Sequence, residues 1–161
     1  MEFIQSRNVN DYAPAIQGLT PTFGPVFQQC IDMWCRQDYE EEASYWNIWL
    51  ATVDNEVIGI CGLYSLNESN DELWLGWFGV VPDKRKKGLG SCILKFVTEQ
   101  ASSVGCKILR SYVEGEGKPL PFYEKRGFKV IGKVKDYLRA NPRYIGEFGN
   151  DQDWVIEKEI T

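Results

Sequence analysis

The chain has 161 residues, 43% apolar and 25% charged, with a net charge of −5. That balance suits one globular domain spanning residues 1–161 and excludes a disordered tail, a collagenous repeat and a coiled coil. Net acidity disfavours a nucleic-acid footprint, and the absence of histidine removes imidazole bases, His-based triads and His-ligated zinc, so no metal is expected.

Phe3 to Arg7 reads as an opening strand, and Asn8-Val-Asn-Asp caps a helix that reaches Leu19. The run Gly18-Leu-Thr-Pro-Thr-Phe-Gly-Pro should break it. Val26 to Arg36 follows as a second helix, with Val26, Phe27, Cys30, Ile31 and Trp34 at helical spacing. Asp38, Glu40, Glu41 and Glu42 then form an acidic loop flanked by Trp34, Tyr39, Tyr45 and Trp46. Aromatic faces beside carboxylates suit a cation, although such a loop also reads as a solvated surface.

Trp46 to Val53 and Val57 to Tyr64 read as strands joined by the tight-turn pair Asp54-Asn55. Leu73 to Val81 is almost unbroken apolar, as a strand buried on both faces should be. Leu89, Ile93, Phe96, Val97, Ala101 and Val104 mark an amphipathic helix stopped at Gly105. Cys106 to Val113 is a strand, Pro119 to Arg126 a short helix ended by Gly127, Phe128 to Lys135 a strand through Val134, and Trp154 to Ile160 a last strand. The order βααβββαβαββ predicts an α/β domain with a mixed central sheet and flanking helices. An exposed last strand could pair in a homodimer.

No apolar run approaches the roughly 18–20 residues of a membrane span, and Met-Glu-Phe-Ile-Gln-Ser-Arg lacks the features of a secretory signal. The five cysteines are odd in number and contain no Cys-x-x-Cys, which favours a reduced, cytoplasmic setting. Cys61, Cys92 and Cys106 sit in apolar patterns and read as core.

The segment from Leu73 to Ser91 carries the chemistry. A strand ends at Pro82, a basic turn follows, and a helix opens on Gly88-Leu89-Gly90. Unbonded amides at a helix start, with glycines that let a ligand approach, make a pyrophosphate site. Arg85, Lys86 and Lys87 add positive charge at its rim; the same run also reads as a solvated basic surface. A Walker A loop is absent, and Ile93 stands where a dinucleotide fingerprint needs its third glycine.

Arg85-Lys-Lys-Gly88-Leu-Gly90 resembles the Arg/Gln-x-x-Gly-x-Gly/Ala motif of the GNAT superfamily of acetyl-CoA-dependent N-acetyltransferases. Val80-Val81-Pro82 looks like that family's strand exit, and Phe122-Tyr123-Glu-Lys-Arg-Gly127-Phe128 is similar to its Tyr-x-x-x-Gly-Phe signature. Glu116-Gly117 departs from it, where many members carry an Asn. The resemblance implies direct transfer of an acetyl group from acetyl-CoA to a primary amine of a small molecule or peptide. Val80 and Val81 would meet the pantetheine, and Arg85, Lys86, Lys87, Gly88, Leu89, Gly90 and Ser91 the phosphates. Tyr123 would be the general acid, and Glu72, beside Asp71, the general base. A catalytically silent CoA-binding sensor is the alternative.

Overall fold

Short apolar runs separated by tight turns zip into one seven-stranded mixed sheet: β1 (Glu2–Ile4), β2 (Tyr45–Val53), β3 (Glu56–Ser65), β4 (Glu72–Val80), β5 (Ile108–Val113), β6 (Lys129–Lys133) and β7 (Trp154–Glu159). Their order across the sheet is β1-β2-β3-β4-β5-β7-β6, with β4 and β5 parallel and every other neighbouring pair antiparallel. The computed structural model describes residues 1–36, 45–65, 69–85, 87–114, 119–141 and 150–160.

Helices α3 (Leu89–Ser103) and α4 (Leu120–Glu124) cover one face of the sheet. Helices α1 (Ala13–Phe23), α2 (Phe27–Arg36) and α5 (Val134–Ala140) cover the other. The expected α/β architecture is therefore present: a mixed sheet between helical layers. Among the described residues no helix is long and apolar enough to cross a membrane.

Local signals act where expected. Asp54 and Asn55 take φ values of 50° and 63°, the double left-handed geometry that lets a two-residue turn follow strand twist. Helix α3 buries Ile93, Leu94, Val97 and Ala101, and Gly105 leaves it at φ 87°. Cys61 and Cys106 are buried, but Cys92 is exposed because it lies just off the α3 stripe.

Other elements depart from expectation. Helix α1 runs through Gly18 and Pro21 to Phe23 instead of breaking at Gly18. Gly18 is a contact residue: a Cβ there would come within 2.8 Å of Val81, so its absence lets α1 lie against the exit of β4. The opening strand ends at Ile4, and Asn8 caps a single 3₁₀ turn, Val9–Tyr12, ahead of α1. Helix α2 starts at Phe27, which leaves Val26 54% exposed outside its apolar face.

Val134 opens helix α5 rather than continuing β6, so the final elements run β6-α5-β7. Strand β6 is an edge strand with a register shift between Val130 and Gly132, too weakly held to extend further. The last strand β7 lies between β5 and β6, so it offers no free edge for the homodimer pairing expected of it.

Candidate functional site

Strands β4 and β5 pair only at Glu72–Ile108, Leu73–Leu109 and Trp74–Arg110, and beyond Trp74 they part. The sheet thus contains a fork. Its foot is closed by those three pairs; one prong is Leu75 to Val80 and the other Ser111 to Val113. The fork explains why, in a run expected to be buried throughout, Gly76 to Gly79 are half-buried between buried Leu73 to Leu75 and buried Val80.

A bulge turns the β4 prong. Gly62 faces Gly76 while Ile60 faces Gly79, so β4 carries one extra residue, and Trp77 sits there at φ 49°. A positive φ on a bulky residue is strained, and such bulges re-aim side chains beside functional sites. Past the bulge, Phe78 and Val80 face the α3/α4 side, and Trp77 and Val81 face the α1/α2 side.

At the tip of the β4 prong the chain makes the basic turn. Arg85 folds back onto it: Nε donates to the Val80 carbonyl at 2.9 Å and Nη2 to Thr22 Oγ1 of α1 at 3.2 Å. Lys84 pairs with Glu56 at 3.0 Å, fixing the turn to the β2–β3 hairpin. These two cations brace the loop, while Lys87 is exposed. Lys86 lies outside the described residues.

Gly88 then takes φ 73° with no atom within 4 Å of the position a Cβ would occupy, and α3 begins. The first intrahelical bond from this turn is Cys92 N–H to the Gly88 carbonyl, 3.2 Å. The amides of Leu89, Gly90 and Ser91 precede it and carry the positive end of a 15-residue helix. That cluster can hold a phosphate anion.

Helix α4 is fastened to the same turn. Phe122 lies 3.5 Å from where a Gly90 Cβ would stand. Arg126 stacks 3.8 Å over the Phe122 ring, donates from Nη1 to the Phe122 carbonyl and from Nη2 to the Ser91 hydroxyl. This arginine went unread in the sequence, where it is one undefined position of the Phe122–Phe128 run. Tyr123 follows, buried among Phe78, Phe122 and Phe128. Burial pushes its phenol well above the usual value near 10, so it stays protonated. Tyr123, Val80, Gly90 and Ser91 are thus gathered at one mouth of the fork.

Glu72 lies elsewhere, at the closed foot. Its carboxylate is 2.8 Å from Arg110 Nη1 in ion-pair but not hydrogen-bond geometry, and accepts from Nη2 at 3.4 Å. Arg110, itself buried, also donates from Nε to Glu157 at 3.2 Å. A lone charge in the apolar run Ile108 to Val113 is the signal for such a partnered site. Asp71 pairs with exposed Lys107 at 3.3 Å.

The expected aromatic wall does not assemble as expected. Trp34 is buried in a slot over Gly62 and Gly76, edge-on to Tyr64. Tyr45 packs into the core on the opposite face of the sheet. Asp38, Tyr39, Glu40, Glu41 and Glu42, with Glu116-Gly117, lie outside the described residues.

Residues 44–130 match a family model described as an acetyltransferase (GNAT) domain. In sequence the chain is similar to the Xenopus laevis protein named Probable N-acetyltransferase camello, 32% identical over 82 residues, which covers 50% of this chain and 37% of that protein's length. In fold it is similar to a GNAT-family protein from Desulfovibrio desulfuricans, with a TM-score of 0.74, 19% identity and 99% of each chain covered. A GNAT acetyltransferase from Elizabethkingia anophelis, solved with acetyl-CoA bound, aligns with a TM-score of 0.58 and 21% identity over 77% of this chain and 80% of that one.

Proposed function

From the premise that this chain belongs to the acetyltransferase (GNAT) domain family, we propose that it is an N-acetyltransferase taking acetyl groups from acetyl-CoA to a primary amine of a small molecule or peptide. One observation carries the reading: a helix N-terminus built for phosphate and a buried, protonated phenol are fastened together by Phe122 and Arg126 at the mouth of one fork. The residues fit the donor. Leu89, Gly90 and Ser91 offer amides to the diphosphate, with Lys86 and Lys87 at its rim, and the prong ending at Val80 and Val81 offers backbone to the pantetheine. Arg85 acts by holding the Val80 carbonyl and α1 in place.

Bound there, acetyl-CoA supplies the acyl group: a nitrogen–carbon bond to the acceptor forms as the carbon–sulfur bond breaks. Tyr123 gives its proton to the departing sulfur, in a pocket whose low polarity disfavours the thiolate as much as the phenolate. The amine's proton leaves through water towards Glu72, on the α1/α2 side of the foot, where it pairs with Arg110. The five free thiols suit a reducing, cytoplasmic setting.

The test combines calorimetry with CoA and free-thiol release from acetyl-CoA over a panel of amines. Saturable CoA binding with amine-dependent thiol release is expected. No binding at millimolar CoA would sink the reading, and binding without release to any amine would leave a silent sensor.

A further inference from the structure

The fork has a second mouth, on the α1/α2 face, and a buried carboxylate sits beside it. Tyr112, on the β5 prong, packs on this face, whereas Tyr123 belongs to the core of the other. Tyr112 pairs in register with Val155 and Val113 with Trp154, so Asp153 stands at the open end of β5. Val155 packs on the α1/α2 face, as does Val134, whose backbone N–H donates to the Asp153 carbonyl at 2.8 Å. Asp153 and Cys30 of α2 both act on the Tyr112 hydroxyl, raising its pKa after burial has done so.

Asp153 is only 8% exposed. Among the described residues its carboxylate accepts one bond, from the Asn150 backbone N–H at 3.2 Å, and its own N–H donates to the Asn150 carbonyl. No lysine or arginine among the described residues pairs with it. The near cation, Lys133, is taken up instead by Gln152 and the Trp154 ring. Contrast Arg110 two residues before Tyr112, where the buried charge has two carboxylate partners. A carboxylate held this deep with one neutral donor is costly unless a cation joins it.

We infer that Asp153 seats a positively charged group of the acceptor, so that the acceptor is a primary amine carrying a further cationic nitrogen, such as an aliphatic diamine. The inference rests on the acetyltransferase reading and deepens it: donor on one face of the fork, acceptor on the other. The nitrogen bound to Asp153 stays protonated. The other nitrogen is the one acetylated.

The experiment measures amine binding directly, by calorimetry on the CoA-loaded protein, with cadaverine and with aminopentanol, in which one ammonium is replaced by hydroxyl. Wild type should bind cadaverine at least tenfold more tightly than aminopentanol. Asp153→Asn, which keeps an oxygen for Asn150 N–H, should lose that preference while CoA affinity is unchanged. Equal binding of the two ligands to wild type, no binding of either, or an unaltered preference in Asp153→Asn overturns the inference. Should Asp153→Asn fail to fold, the two-ligand comparison on wild type decides alone. Thiol release is scored separately, so loss of the acetyltransferase reading shows as CoA binding or turnover failing, and loss of this inference as turnover without cation preference.

Discussion

Tyr123 is ringed by Phe78, Phe122 and Phe128, and it brings a hydroxyl into that aromatic box. Tyr123→Phe keeps the ring and removes the proton, so turnover should fall by roughly 10²-fold or more with CoA affinity nearly intact. Because burial raises the phenol's pKa above its ordinary 10.0, the proton is retained through pH 10 and lost only above it. The rate should therefore show no decline attributable to this group as pH passes 10, which a kcat/KM profile would reveal. Gly88 makes a different demand. Its surroundings are open, so Gly88→Ala meets no clash and bears only the left-handed φ of 73°, a cost of about 1–2 kcal/mol. A lowered melting temperature and weaker CoA binding are expected together, since the same backbone aims the first amides of α3.

Strands and helices are held to one another by small, specific fits. Gly62 and Gly76 face each other across β3 and β4, and the Trp34 ring of α2 lies over both. A Cβ at Gly62 would come within 2.4 Å of that ring. Gly62→Ala should cost about 1–3 kcal/mol as overpacking, read from urea unfolding. Such fits also explain what could be read in the sequence. The Asp54-Asn55 hairpin, the α3 stripe with its Gly88-Leu89-Gly90 opening, the stop at Gly105 and the position of Tyr123 depend on neighbours in the chain, and all are legible there. The course of α1 past Gly18 depends on Val81, the brevity of β6 on being an edge, and the fork on β4 and β5 parting beyond Trp74; none leaves a local mark. At the site, Arg85 carried the basic-turn motif, and its partners are Val80 and Thr22, while Arg126 carried no motif and grips Ser91. Charge is visible in a sequence; its partner is not.

Across the whole molecule, buried phenols and thiols set how the fold answers alkali. Burial raises the pKa of Tyr12, Tyr45, Tyr112 and Tyr123 above 10.0 and that of Cys35, Cys61 and Cys106 above 9.0. In each case the folded state keeps a proton that the unfolded chain gives up sooner, so the contribution is complete below the unfolded values and declines as pH rises through the folded ones. The urea midpoint should fall progressively above about pH 9, after allowance for surface charge; a midpoint unchanged from pH 8 to 11 would contradict this. The place of β7 has a further consequence, for synthesis. Strands β1 to β4 follow one another as neighbours and can pair as they leave the ribosome. Strand β5 reaches β4 only at the three pairs of the foot and β6 reaches none of these strands: the partner common to β5 and β6 is β7, which follows both in the chain. Until residues 154–159 emerge, β5 lacks its antiparallel partner, β6 stands apart from the sheet, and the sheet is incomplete. A product cut short there is thus exposed as incomplete by the lack of the strand that completes the sheet, and is left as prey for chaperones and proteases.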